Sequence, residues 1–339
     1  MRGIGTVNNS DPLYIVDGMP LEGGLDYLNP NDIASIEVLK DAASGAVYGA
    51  RAANGVVLVT TKTGKEGKTK VTYDFSYGWQ NPWRERDVLN ATEYAIMMNE
   101  GAINSGQAPK YNDPYSYGVG TNWQKETFNN DAPVMNHQVS VSGASEKVNY
   151  MFSLGYYGQE GIVGGNYNRS NYNRLTLRSN TQYTIFDESK NRNWLNSLKI
   201  TSNLSYARVK ARSIEANSSY YSPLGSALAL SPILTPYAEG DAADAQLKKY
   251  EGDSNYTPVY SPDGRLYTIP GGDFNEMINP LASLSLPGAL SKTHKFVANF
   301  SADLQLWDNL KFRTSYGVDI QFYSNDGYTK KYYLASGLN

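Results

Sequence analysis

From Val71 the chain alternates. Val71, Tyr73, Phe75, Tyr77 and Trp79 are apolar, while Thr72, Asp74, Ser76 and Gly78 between them are polar or small. A period of two sends successive side chains to opposite sides of a strand, so this run predicts a strand with one apolar and one polar face. The pattern returns downstream. Tyr150, Phe152, Leu154 and Tyr156 oppose Asn149, Ser153 and Gly155, and Leu175 and Leu177 oppose Arg174, Thr176, Arg178 and Asn180. Leu198, Ile200, Leu204 and Tyr206 oppose Lys199, Thr201, Asn203 and Ser205. Phe296, Phe300, Leu304 and Leu306 oppose Lys295, Asn299, Ser301, Asp303 and Gln305. Phe312, Tyr316, Val318, Ile320 and Phe322 oppose Lys311, Arg313, Ser315, Asp319 and Gln321. With residues 137–143, about seven such strands are expected.

Alternation alone also fits a soluble sandwich. Three features point instead to a membrane barrel. Several runs have room for the about 9–11 residues that cross a bilayer at a tilt. Their polar faces carry mixed charge, as a wet lumen would. The connectors alternate in length: residues 143–147, 187–196 and 308–309 are short, whereas 82–135, 161–173 and 211–293 are longer. Outer-membrane barrels pair short periplasmic turns with long outer loops in this way. Trp194 and Trp307 stand beside short turns, where an aromatic girdle lies.

The first 64 residues read differently. Residues 12–16 and the neighbourhood of Ile36 and Val38 predict short strands, with Asp17-Gly18 as a turn. Asn29 caps a short helix with Pro30 at its first position. Asp41 is expected to cap a second helix through Val47 that stops at Gly49. Asn54-Gly55 marks a tight turn, and the apolar residues 56–59 suggest a strand buried on both faces. This makes a small α+β module over residues 1–63, with a polar, glycine-broken hinge at 64–68 and the strand region at 69–339.

Net charge is −3, so no basic footprint for nucleic acid exists. Cysteine is absent, which removes disulfides and thiolate chemistry. The 28 tyrosines and 31 glycines suit a β-rich chain with aromatic rings at an interface. No apolar run approaches the roughly 20 residues of a membrane helix. Mean hydropathy is −0.50, which in a membrane protein leaves the barrel, whose strands are apolar on one face only. The first five residues have no apolar core of a signal peptide. Gly3-x-Gly5 lacks the strand and helix that a phosphate loop requires. His137 and His294 have no convergent partners, and no serine sits in a nucleophile elbow. No catalytic or metal site is expected, nor any cofactor.

In the long connectors, Asn90 is expected to cap a helix over residues 94–102. Residues 222–235 are apolar and bracketed by Pro223, Pro232 and Pro236, consistent with a short helix, a segment over the lumen or a partner-facing patch. Residues 238–272 read as an exposed loop, whose Asp241, Asp244, Asp253 and Asp263 lack calcium-loop spacing.

PLYIVDG at residues 12–18 and NPNDIASIEVLKDAASGAVYGARAANGVVLVTTK at 29–62 resemble the plug domain of TonB-dependent outer-membrane transporters, in the SusC/RagA branch. NWQKETF at 122–128, NHQVSVSG at 136–143 and YMFSLGYYGQEGIV at 150–163 extend the resemblance, which is weakest over 213–291. It implies a mainly β fragment: the C-terminal half of an α+β plug, then about seven antiparallel strands of a large, roughly 22-stranded transmembrane barrel with long extracellular loops. The function implied is energised uptake of glycan or peptide fragments across the outer membrane. The partners implied are the TonB–ExbB–ExbD complex, whose contact segment is not in this sequence, a SusD-like surface lipoprotein, membrane lipid and the substrate. A passive porin and a soluble β-sheet binding or adhesion protein stand as alternatives. A plug in a wet lumen pairs its charges with the wall or with water. Asp17, Glu37, Lys40, Asp41 and Arg51 are therefore candidates on the plug side, and Arg174, Arg178, Lys199, Lys311 and Arg313 on the wall. Tyr111, Tyr115, Tyr117, Tyr220 and Tyr221 in the outer loops are candidates to stack on substrate or to pack the loops.

Overall fold

The computed structural model describes residues 11–39, 46–52, 54–187, 192–252, 256–328, 332 and 334. Their strands form two sheets. The small one comprises β1 (Leu13–Val16), β2 (Met19–Leu21), β3 (Ile33–Leu39) and β4 (Val56–Thr61), in the order β2-β1-β4-β3. β4 runs parallel to β1 and antiparallel to β3. Its apolar run is buried as expected, with Val56, Val57 and Val59 at 9% exposure or less. Asp17 and Gly18 both take positive φ, 49° and 84°, and turn β1 directly into β2. The sequence reading had no β2, because three residues that include Pro20 carry no alternation.

The helix expected after Asn29 is a single 3-10 turn, Pro30–Asp32, with the Asn29 side chain accepting from the Asn31 amide at 3.1 Å. Residues 41–45 of the second expected helix lie outside the described residues. Its remainder is 3-10 rather than α-helical, and it stops as expected at Gly49, whose φ of 67° is non-helical; a second short 3-10 stretch follows to Ala52.

The large sheet is an up-and-down ribbon in sequence order: β5 (Gly67–Gln80), β6 (Ala132–Ala144), β7 (Val148–Glu160), β8 (Asn171–Phe186), β9 (Ser197–Arg212), β10 (Leu290–Trp307) and β11 (Leu310–Asp326). All its pairs are antiparallel. The register aligns the alternation across all seven strands. Tyr73, Val139, Leu154, Leu177, Tyr206, Phe296 and Ile320 form one continuous row. That row lies on the outward face, where Phe75 and Phe300 are 56% and 44% exposed. One residue away along each strand, on the inward face, stands the row Thr72, Ser140, Ser153, Arg178, Ser205, Val297 and Asp319. The small sheet is seated on this inward face. Val16, Leu21, Tyr27, Leu28, Val57 and Val59 share a buried cluster with Ala207 and Val297 of the large sheet. No helix among the described residues is long and apolar enough to cross a membrane.

The two longest connectors, 81–131 and 213–289, build a helical layer at one end of the ribbon. It holds α1 (Ala91–Asn104), α2 (Trp123–Thr127), α3 (Pro223–Ala229), α4 (Gly240–Lys249) and α5 (Pro280–Ser285). Asn90 and Glu93 close a reciprocal capping box on α1. Residues 222–235 pack within the protein: Ala227 and Leu230 bury with Trp123, Val259, Tyr267 and Leu281. Residues 238–272 are more ordered than an exposed loop. They contain α4 and bury Val259, Leu266 and Tyr267. The helix-forming run DAADAQLKK was masked by the turn residues on either side of it.

Candidate functional site

Arg178 on β8 is a full charge whose side chain is only 3% exposed. It reaches across to the small sheet. Nη2 lies 3.7 Å from Asp17 Oδ2 and donates to Thr61 Oγ1, while Nη1 donates to the Lys62 carbonyl at 3.3 Å. Asp17 is held from its own side as well. Its Oδ1 accepts from the Thr61 amide at 2.9 Å and its Oδ2 from the Thr61 hydroxyl at 2.5 Å. Asn203 donates to Oδ2 at 3.5 Å, and Asn299 to the Asp17 carbonyl at 3.2 Å. The β1–β2 turn and the end of β4 thus meet β8, β9 and β10 at one point. Low dielectric raises the cost of leaving either charge alone, so the two ions are mutually dependent.

Asp32, 1% exposed, makes a second junction. Gln138 on β6 donates to Oδ1 at 2.6 Å and Ser153 on β7 to Oδ2 at 2.9 Å. Burial pushes the Asp32 carboxyl up from its ordinary value. The Arg178 charge, the two hydrogen bonds and Lys62 pull it back in part. Asn29 beside it lies against β7 so closely that a Cβ on Gly155 would fall 2.6 Å from Asn29 Nδ2.

Lys295 on β10 makes a third. It donates to the Glu22 carbonyl at 3.1 Å, sits 3.3 Å from Asp319 and lies 5.4 Å above the Tyr27 ring. The Tyr27 hydroxyl is pushed up, chiefly by burial and then by the charges of Asp17 and Asp319. Arg174 adds a hydrogen bond from Nη1 to the Asp26 carbonyl at 2.6 Å.

Of the charges singled out from sequence, Asp17, Arg174 and Arg178 meet across the two sheets. Arg51 pairs with Glu22 inside the small module at 3.6 Å, and Arg313 with Asp303 inside the ribbon at 3.3 Å. Glu37 is exposed on β3. Lys199 lines a 320 Å³ cavity with Glu66 and Lys147 near the short turns. Lys311 is exposed on β11. Lys40 and Asp41 lie outside the described residues. Sequence reasoning missed Asp32, Gln138, Ser153 and Asn29. The NPND turn was visible, but nothing in it signals a buried carboxylate.

Among the outer tyrosines, Tyr111 packs edge-on to Tyr94 and Tyr117, whereas Tyr115, Tyr220 and Tyr221 are exposed. Both histidines face outward beside tyrosines: Tyr73 Oη is 2.9 Å from His137 Nδ1, and Tyr206 Oη 2.7 Å from His294 Nδ1. Among the described residues no group of three or more His, Cys, Asp or Glu is placed to hold a metal. Gly64, the expected start of a hinge, is packed tightly. A Cβ there would meet the Gly143 carbonyl at 2.2 Å, and the Asn149 side chain donates to the Gly64 carbonyl at 2.9 Å.

A small α+β sheet docked by buried charges on the polar face of an antiparallel ribbon is the arrangement of a plug against a barrel wall. Residues 1–56 match the TonB-dependent Receptor Plug Domain. The chain is 30% identical to the TonB-dependent receptor SusC of Bacteroides thetaiotaomicron over 316 residues, covering 89% of this chain and 28% of SusC. It is 31% identical to the TonB-dependent receptor P3 of Formosa agariphila, covering 94% of this chain and 27% of that protein. The structure matches the RagAB peptide importer in its 'open-open' state with a TM-score of 0.69 at 25% identity, covering 92% of this chain and 34% of the importer chain. A further RagAB peptide transporter structure matches at 0.68 and 27% identity. The class these matches define is the TonB-dependent receptor, part of which this chain resembles. Within it, the relatives and the solved neighbours support the SusC/RagA type. The chain spans just over a quarter of the length of these two curated relatives.

Proposed function

We propose that this chain is the plug-and-wall portion of an energised importer that takes up oligosaccharide or peptide nutrients across the outer membrane. Residues 1–63 serve as plug, 64–68 as the link and 69–339 as the first part of the barrel. The observation that carries the reading is the docking of Asp17 and Asp32 onto Arg178, Gln138 and Ser153. A passive pore has no use for a module seated in its lumen. A plug held by a few polar junctions has two positions available, docked and displaced. Ligand and TonB shift that balance only through unequal binding to the two. The energy enters through TonB–ExbB–ExbD, and a SusD-like lipoprotein captures substrate at the outer rim. Tyr115, Tyr220 and Tyr221, exposed in the outer loops, contribute stacking surface there. In the parent organism, deleting TonB stops uptake of the native nutrient while surface binding persists. Undiminished uptake in the deletion strain would replace this reading with a porin.

A further inference from the structure

Where the apolar rows of the outward face end, cations begin. In the next outward row after Tyr206 and Phe296, Arg208 on β9 stands directly opposite His294 on β10. In the row after that, Lys210 stands directly opposite Lys292. Arg208 and Lys210 are exposed. Of these cations, only Lys292 has a carboxylate within ion-pair distance among the described residues, Asp326 at 2.5 Å. Neither strand is an edge: β9 pairs with β8 and β10, and β10 with β9 and β11. Like charges directly opposite each other in an antiparallel pair are destabilising, and an anion between them removes that cost.

The position of the cations along the strands is specific. Outward residues of β9 are apolar from Leu198 to Tyr206 apart from Ser202, and those of β10 from Phe296 to Leu306 throughout. Both lengths match the about 9–11 residues that cross a bilayer at a tilt. The cations lie past that span, at the end away from the short turns, where the connector 213–289 leaves β9 and enters β10. Beside them on the same face is an apolar groove of about 400 Å³, lined by Val139, Leu154, Leu177, Leu204, Tyr206 and Phe296.

We propose that groove and cations together bind one acylated, phosphate-bearing lipid of the outer leaflet. An acyl chain lies in the groove, and the phosphate rests on Arg208, Lys210 and Lys292. Anionic headgroups attract clustered Lys and Arg at a membrane surface. A free anion answers the cations and leaves the groove empty. A neutral lipid fills the groove and leaves Lys210 and Lys292 repelling each other. The inference rests on the barrel-wall reading, which makes this face the lipid side and this end the outer one.

The test is native mass spectrometry of the detergent-solubilised full-length parent, with three probes: dipalmitoyl phosphatidic acid, dipalmitoylglycerol and inorganic phosphate. Arg208→Gln, Lys210→Gln and Lys292→Gln together are expected to weaken phosphatidic acid binding roughly tenfold. Lys125→Gln, Lys248→Gln and Lys249→Gln, an equal change of charge at exposed positions of the helical layer, leave it unchanged. Leu177→Trp fills the groove and weakens binding with every cation in place. Equal loss in the two glutamine sets overturns the site. Competition by dipalmitoylglycerol as strong as by phosphatidic acid reduces it to a plain apolar face, and equal competition by inorganic phosphate to a free-anion patch; either result overturns the proposal. A spin label at Leu177→Cys in phosphatidylcholine vesicles separates this site from the reading beneath it. A label that oxygen reaches, on a protein without preference for phosphatidic acid, sinks the lipid site alone. A label that oxygen cannot reach sinks the barrel wall.

Discussion

Arg178 and Asp17 stabilise the docked plug only as a pair. Arg178→Ala strands a carboxylate that is 15% exposed and is expected to cost about 3–5 kcal/mol. The Asp17→Ala, Arg178→Ala double variant is expected to cost clearly less than the two single changes added. A double-mutant cycle on denaturant unfolding in detergent reads that difference, and strict additivity would refute the coupling. Gly155 is a steric case. A methyl there meets Asn29 Nδ2 and Thr176 Oγ1, each at 2.6 Å, so Gly155→Ala is expected to lose roughly 1–3 kcal/mol by the same assay. Asp32 supplies a pH dependence. Its folded carboxyl binds a proton above the ordinary value of 3.8, so between that value and the raised one the folded state holds more protons. Stability at this site therefore falls as pH rises through that window. Asp32→Asn is expected to compare better with the native chain at pH 7 than at pH 4, and denaturation midpoints at the two pH values show it. These residues were unequally legible. Asp17 and Arg178 announced themselves as charges on a lumenal module and a lumenal face. Gln138 and Ser153 looked like any polar position of the alternation, because period fixes which face a residue takes and not which residue of a second sheet it meets.

Along each strand the prediction is one of sides. Phe300 is 44% exposed on the outward face, while Asn299 donates to the Asp17 carbonyl inside. An arginine near the bilayer midplane of such barrels costs roughly 2–4 kcal/mol. In the full-length parent Phe300→Arg is therefore expected to be much more destabilising than Asn299→Arg. A spin label at 300 should be quenched by oxygen and shielded from a nickel chelate, with the opposite bias at 299. Failure of both quenchers at 300 would mean that face is packed against protein. All seven ribbon strands were readable because each exceeds ten residues and keeps its alternation. β2 and α4 were not: one is too short to show a period, and the other sits among turn residues whose local preference points away from a helix.

For the molecule as a whole, β5 and β11 each have a single partner among the described strands. Two open edges beside a broad apolar face invite association. The 339-residue chain expressed alone is expected to need detergent or to aggregate. A monodisperse monomer without detergent that unfolds cooperatively in size-exclusion and denaturation experiments would count against the barrel wall.

Trp123 adds a matter of timing. Its indole N–H donates to the Ser231 carbonyl 108 residues away, and the Thr121 amide to the Pro232 carbonyl at 2.7 Å. Three hairpins of the ribbon, β6–β7, β8–β9 and β10–β11, close on short turns, while β5–β6 and β9–β10 pair across the two long connectors. The helical layer has no core until both long connectors have been delivered to the same side, so its closure carries the larger entropic barrier. Assembly then has a compulsory sequence: the wall first, its roof last. A refolding chain in which Trp123 is the sole tryptophan would report the roof as a slow fluorescence phase, trailing a β-sheet signal already complete.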